Sequence, residues 1–400
     1  APGELAKWLR GAKASLASIH PDSGYELAYT TKALSSFSCG TPLLYVGQGP
    51  TAQDIRDAHL GIVAGYDAGQ VAKAMITVAA EQWPRQQIRK WAEENKSISS
   101  SGMQGLKLVG NRKFDAIIAN DARALPLGMA IAGDDTPVWA DLHEWAPEER
   151  TQLLSWRLLV APLMRDICKT YLPSTAAQTT VAGHIAQLYQ KHFGVTPSVM
   201  RNAPAWQDLE PSPVSDDKIR LVHSGSAVPG RSIDKMIEAV KTLDDRFSLD
   251  FYLTTAGDGG KYLQTLKDVA GGDPRIRFND PVKPAELPAT LNSYDVGIFW
   301  IPPTNTNARL SLPNKFFDFV QARLAVAVGP SIEMAELVRK HSLGVVSERF
   351  EVSSITQTLS SLDSQKVRSF KAQAHTHSKE LSFDNEAKVA RGILKRMLSL

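Results

Sequence analysis

Three short stretches carry side chains that could handle a phosphate or a sugar. In SLPNKFFDFVQARLAVAVG (311–329), Pro313 and Asn314 lead into a helical pattern in which Lys315 and Asp318 share a face. A cation able to reach phosphate and an acid able to bind ribose hydroxyls then point the same way; the plain alternative, a surface ion pair, would contribute little. In IRLVHSGSAVPGRSIDKMIEAVKTL (219–243), Gly225, Ser226 and Gly230 precede a helix whose first residues include Ser232, and Arg231 adds a forked cation. Glycine lets the backbone approach a ligand, and a helix N-terminus offers unpaired N–H groups and partial positive charge. The corner therefore reads as an anion site, although many such corners hold glycine only to turn the chain. In PVWADLHEWAPEE (137–149), an apolar strand runs into Asp141, His143 and Glu144. Ligands of open α/β sheets bind beyond the carboxyl ends of the strands, where these groups fall; a strand-end histidine can equally serve to hold its own loop.

Other chemistries find no support. The sequence contains no HExxH, no GxxxxGK[ST] and no GxSxG. Its two cysteines, Cys39 and Cys168, lie far apart, which argues against a disulfide framework or a zinc knuckle. A balance of 45 Lys and Arg against 42 Asp and Glu leaves +3, too little for the broad basic face of a nucleic-acid binder. With 43% apolar and 22% charged residues, the 400-residue chain has the profile of a soluble globular protein of two or three domains. No apolar run reaches the roughly 20 residues that span a bilayer, and no leader opens the chain, so a cytoplasmic protein is expected. The apolar pattern over 153–172, with Arg157, Arg165 and Lys169, could lie on a membrane surface. Packing against a sheet, with a kink at Pro162, is the favoured reading.

Short apolar runs alternate with helical patterns at Leu43–Val46, 116–119, 138–140, 179–181, 219–222, 249–254 and 296–300. That alternation predicts βαβ units, hence parallel sheets with helices on both faces. Two stretches read as linkers, NKSISSSG (95–102) and WQDLEPSPVSDD (206–217). They divide the chain into 1–102, 103–210 and 211–400. The sequence also resembles itself at long range. ELAKWLRGAKASLASIHP from Glu4 lies over ELPATLNSYDVGIFWIPP from Glu286, and KALSSFSCGTPLLYVG from Lys32 lies over KFFDFVQARLAVAVGP from Lys315. The offset of 283 carries Gly61 onto Gly344. The first 95 or so residues thus read as the second half of a Rossmann-like domain, and 219–360 as the whole of a related one.

In order, FDAIIANDARALPL, VWADLHE, STAAQTTVAGHIAQLYQKHFGV, VMRNAP, GSAVPGRSIDKMIEA and the NKFFDF helix resemble the GT-B-type glycosyltransferases of the family-4 group, over residues 115–360. Residues 1–95 resemble the closing part of such an enzyme, a partial second copy. The resemblance implies an α/β fold of Rossmann-like doubly wound parallel sheets, in a GT-B architecture with an incomplete N-terminal domain. It also implies a retaining, metal-independent transfer of a sugar from a nucleotide-diphosphate donor to a glycan or small-molecule acceptor. On that analogy Gly225, Ser226, Arg231 and Lys315 hold the donor diphosphate, Asp318 the ribose, and Asn314 also binds the donor, while His143 and Glu144 lie by the reacting sugar. Neither metal nor cofactor is implied, since fixed cations and helix-end N–H groups can stabilise the departing diphosphate.

Two departures stand out. The family commonly has a glutamate eight positions before the residue matching Asp318; here Leu310 stands there. Ser35 replaces the acid in the repeated copy, so no donor site is expected in 1–95. These departures, and a chain that opens on Ala1-Pro2, suggest a rearranged or excised piece of a tandem enzyme. They also keep open an inactive nucleotide-binding or scaffolding relic, and a nucleotide-sugar epimerase. Peripheral membrane contact is left open too.

Overall fold

The computed structural model describes residues 2–20, 29–96, 105–154, 156–255 and 258–399. The chain forms two compact units, Ala1–Lys113 and Phe114–Leu400. Positions 97–102 of the first expected linker lie outside the described residues, and the Pro-bearing segment 206–217 runs within the second unit.

In the first unit a parallel sheet has the order β1-β2-β3, with β1 at Ser15–Ser18, β2 at Leu43–Val46 and β3 at Gly61–Ala64. All four residues of central β2 are buried, and their alternation divides them between two cores. Leu43 and Tyr45 pack with Phe37, Ile55, Leu60 and Ile88, whereas Leu44 and Val46 pack with Ala64, Ala74 and Val78. Helices on both faces supply those partners, as a doubly wound unit requires.

The second unit holds two parallel sheets. The smaller has the order β4-β5-β6-β7, from Ile117–Asn120, Val138–Asp141, Ala177–Thr180 and Ser198–Val199. The larger comprises β8 (Ile219–Ala227), β9 (Phe247–Thr255), β10 (Ile276–Asn279), β11 (Val296–Phe299), β12 (Ala325–Val328) and β13 (Gly344–Val346). Its order, β10-β9-β8-β11-β12-β13, is that of a Rossmann sheet. The chain builds outward from β8 through β9 to β10, then returns to the other side of β8 as β11. That reversal opens a crevice at the carboxyl ends of β8 and β11, where such sheets bind ligands. Gly297 lets the Phe319 ring lie on β11, since a Cβ there would stand 2.3 Å from the ring.

Pro162 lies inside a continuous helical stretch: a π-helical turn, Trp156–Val160, passes directly into the helix Ala161–Tyr171, the wider turn falling beside the residue that lacks an N–H. Ala161, Met164 and Cys168 of this helix are buried, with Cys168 in the core of the smaller sheet; Leu153, Leu154, Leu158 and Leu163 are exposed. Among the described residues no helix is long and apolar enough to cross a membrane.

The final helix, Phe383–Met397, packs back onto the connection between the two sheets of this unit. Glu386 takes hydrogen bonds from the Arg201 backbone (2.9 Å) and guanidinium (2.8 Å), and Asp384 takes one from the Trp206 N–H (2.8 Å). On the opposite flank buried Asn307 braces the two layers, accepting from the Trp145 N–H (2.9 Å) and donating to the Trp145 carbonyl (3.2 Å). Asn307→Ala orphans the Trp145 N–H, while the Trp145 carbonyl keeps the Glu148 N–H at 3.1 Å; thermal and chemical unfolding should report a loss of about 1–3 kcal/mol.

Residues 283 positions apart in the two units share backbone detail. Leu43 N–H bonds the Leu60 carbonyl at 3.0 Å, as Val326 bonds Leu343 at 2.9 Å; Thr41 bonds Ser36 at 2.9 Å, as Leu324 bonds Phe319 at 3.0 Å. Left-handed conformations fall at Gly40 and His59 in one unit and at Arg323 and Ser342 in the other. A Cβ on Gly61 would sit 2.0 Å from the Leu43 carbonyl oxygen, and one on Gly344 1.9 Å from that of Val326.

Candidate functional site

Two cavities adjoin the carboxyl ends of β8 and β11. One, of about 440 Å³, is lined by Ser224, Gly225, Tyr252, Thr254, Asn314 and Asp318 among others. The second, of about 460 Å³, is bounded by His143 and Glu144 from the smaller sheet and by Gly230, Arg231 and Asn314 from the larger. Asn202 and Asn314 border both.

Gly225 and Ser226 belong to the end of β8 rather than to the corner, which is 228–232. Gly225 has φ +130, and a Cβ there would stand 2.8 Å from Lys315 Nζ. Lys315 thus lies directly behind a bare stretch of backbone that lines the first cavity. Its ammonium also meets His223 Nε2 at 3.3 Å and the Phe299 ring at 4.5 Å. His223 is buried, with Nδ1 2.8 Å from the Ile298 carbonyl; donating there leaves Nε2 as the acceptor for Lys315. The Lys315 ammonium is lowered to about 7, chiefly by burial and then by Arg231, with Asp318 opposing. Burial likewise keeps the His223 imidazole far below its ordinary range, with Lys315 acting in the same direction. Apart from Asp318, the neighbours of this buried group are an imidazole, an aromatic face and another cation, so it is short of negative charge. An anion arriving at Gly225 would supply it.

Lys315 and Asp318 do not form a surface ion pair: Lys315 is buried, and among the described residues no ion pair joins them. Asp318 is half-buried at the first cavity and its carboxyl rises to about 6, chiefly through burial, against the pull of Lys315. Ser226 lines neither cavity; its hydroxyl pairs with Thr254 Oγ1 at 3.0 Å. Arg231, in the corner before the helix Ile233–Lys241, lines the second cavity. Ser232 makes the last step into that helix with φ +52.

Across the second cavity, His143 Nε2 stands 3.3 Å from Asp141 Oδ2, and Thr179 Oγ1 donates to Asp141 Oδ1 at 2.7 Å. The Asp141 bond raises the imidazole's affinity for its proton, outweighing desolvation. Burial alone would raise Asp141, but bonds from His143 and Thr179 hold it low. Glu144 is pushed up, first by desolvation and then by Glu149 and Asp121. Leu310, where the sequence resemblance anticipates a carboxylate, is 3% exposed, and its side chain joins the core of the smaller sheet beside the second cavity.

His223, Phe299, Asn202, Tyr252 and Thr254 join the site without having been predicted from sequence. His223 had a signal: two positions before Gly225 on one strand, it shares that residue's face. The others enter through contacts between distant segments.

By sequence, neither a family profile nor a curated protein matches the chain. Solved structures do. Anabaena HepE, in complex with UDP and glucose, superimposes with a TM-score of 0.59 over 97% of this chain and 99% of its own, at 13% identity. The α,α-trehalose 6-phosphate synthase of Burkholderia multivorans gives 0.58 over 96% and 99%, at 10% identity. TarM of S. aureus gives 0.56 over 74% of this chain and 58% of its own, at 9% identity. At such identities the likeness speaks for architecture alone: Rossmann-like parallel sheets in the GT-B fold.

Proposed function

We propose that this chain is a retaining, metal-independent glycosyltransferase of the family-4 type, moving a sugar from a nucleotide-diphosphate donor to a glycan or small-molecule acceptor. One observation carries the reading: Lys315 is buried behind Gly225, at the strand-order reversal and within electrostatic reach of Arg231. In this reading Gly225, Lys315, Arg231 and Asn314 hold the diphosphate, Ser226 steadies the strand end through Thr254, and Asp318 takes the ribose hydroxyls. Similar solved structures, Anabaena HepE in complex with UDP and glucose and an E. coli protein bound with UDP-2-fluoro glucose, lend support to such a donor. Residues 103–210 would then form the acceptor side and 211–400 the donor side, with 1–102 a partial second copy.

The transfer would run on one face of the sugar. An acceptor hydroxyl oxygen bonds to the anomeric carbon as the bond to the diphosphate breaks, the electron pair leaves with the phosphate oxygen, and that oxygen takes the acceptor's proton. Lys315, Arg231 and nearby N–H groups stabilise the departing charge. His143 and Glu144 orient the reactants from the opposite wall.

Nucleotide release from UDP-, GDP- and ADP-sugars, with and without acceptor candidates, tests the proposal; no turnover and no binding of any of them overturns it. His143→Ala should lower kcat about 100-fold through misplacement of the reactants. Asp141→Asn removes the partner that raises His143, so the limb of the kcat–pH profile belonging to this imidazole should move to lower pH. Buried Leu310 favours one second reading, a nucleotide-binding relic: calorimetry would then record tight nucleotide binding without transfer.

A further inference from the structure

Away from the cleft, His341, His377 and Glu380 meet where three segments of the second unit converge. His341 closes the helix Ile332–Lys340, His377 ends the helix Ser364–His377, and Glu380 lies in the turn before Phe383–Met397. The two Nδ1 atoms are 3.2 Å apart, and His377 Nδ1 is 3.3 Å from Glu380 Oε2. One ligand atom from each residue lies within 4.8 Å of the other two. The His341 side chain is 4% exposed, and its Nε2 has no hydrogen-bond partner, facing Glu380 Oε1 at 3.8 Å.

We propose that His341, His377 and Glu380 bind a divalent transition ion of the zinc type, with water completing a four-coordinate shell. Bonds of about 2.0–2.1 Å in a tetrahedron put neighbouring ligand atoms about 3.4 Å apart, close to the separations found. Two imidazoles select zinc, copper or nickel over magnesium or calcium. With Nδ1 as the ligand atom, the proton of His341 sits on Nε2, facing Glu380 Oε1 at 3.8 Å, so the second carboxylate oxygen favours the tautomer that leaves Nδ1 free for the ion. The charges of Lys340 and Arg201 reach His341 and oppose a cation, so affinity should fall below that of an all-anionic cage. The ion would pin the end of Ser364–His377 to the turn that launches the last helix, whose Asp384 and Glu386 hold the connection at 201–206.

The test uses the full chain, stripped with chelator and titrated with zinc chloride by calorimetry and cobalt chloride by visible absorption. One equivalent of zinc, a raised Tm and a tetrahedral cobalt band are expected. His377→Ala and Glu380→Ala, both at partly exposed positions, should each weaken zinc binding by about tenfold or more while the zinc-free Tm holds. Absence of binding to the unaltered chain, or binding that survives both substitutions, overturns the site.

Discussion

Replacing Lys315 by Met should lower kcat/KM for the donor by about 10²–10³-fold, the cost of removing one fixed charge from a developing anion. Methionine fills the same buried space without the charge, so the fold should survive, and pH separates the charge effect from the packing effect. The Lys315 ammonium titrates near 7 in the folded chain, against an ordinary 10.5 when unfolded. The folded state is therefore the poorer proton binder between those values. Its stability should be penalised in full below about pH 7 and recover as pH rises toward 10.5. The Met variant should lack that rise. Donor kcat/KM in the unaltered protein should decline as pH climbs through about 7, because the grip on the diphosphate needs the proton; in the variant that limb should vanish. A pH profile identical in both proteins would remove Lys315 from the donor site.

Gly344→Ala should be the most damaging small substitution at the far edge of the larger sheet. Its Cβ would lie 1.9 Å from the Val326 carbonyl oxygen, a backbone atom that cannot rotate away, so β12 and β13 must part. A loss of about 3 kcal/mol or more is expected, lowering Tm by about 6 °C or more. Differential scanning calorimetry checks it. Gly61→Ala meets Leu43 in the same way and should cost a similar amount in the unit Ala1–Lys113, with donor binding intact.

Much of the scaffold is readable because buried parallel strands are short, continuous apolar runs between turn residues. Leu43–Val46, LLYV, matches its predicted bounds to the residue for that reason. The strand expected at 219–222 continues to Ala227, because HSGSA carries the polar and small residues of a turn. They stand in a strand that ends at a ligand-sized cavity, where the usual composition gives way. Ser15–Ser18, SLAS, half exposed at the margin of its sheet, offers no such run.

At the site, residue types revealed the chemistry but not the depth. Lys315 and Asp318 read as one helix face able to reach a nucleotide, with a surface pair as the rival. Only the packing of the helix Asn314–Gln321 against β8 and β11 reveals that the lysine is submerged behind Gly225 and leans on His223. At Pro162 the sequence announces an irregular helix but not its form, a π turn at Trp156–Val160 running into Ala161–Tyr171.

The matching clash at Gly61 and Gly344 makes the chain its own control. Lys32 stands exposed where Lys315 is buried, and Ser35 stands in place of Asp318, on the same backbone turn. Damage at either glycine reports what its sheet tolerates; set beside Lys315→Met, a Lys32→Met substitution at the exposed position separates what the charge does from what the helix tolerates.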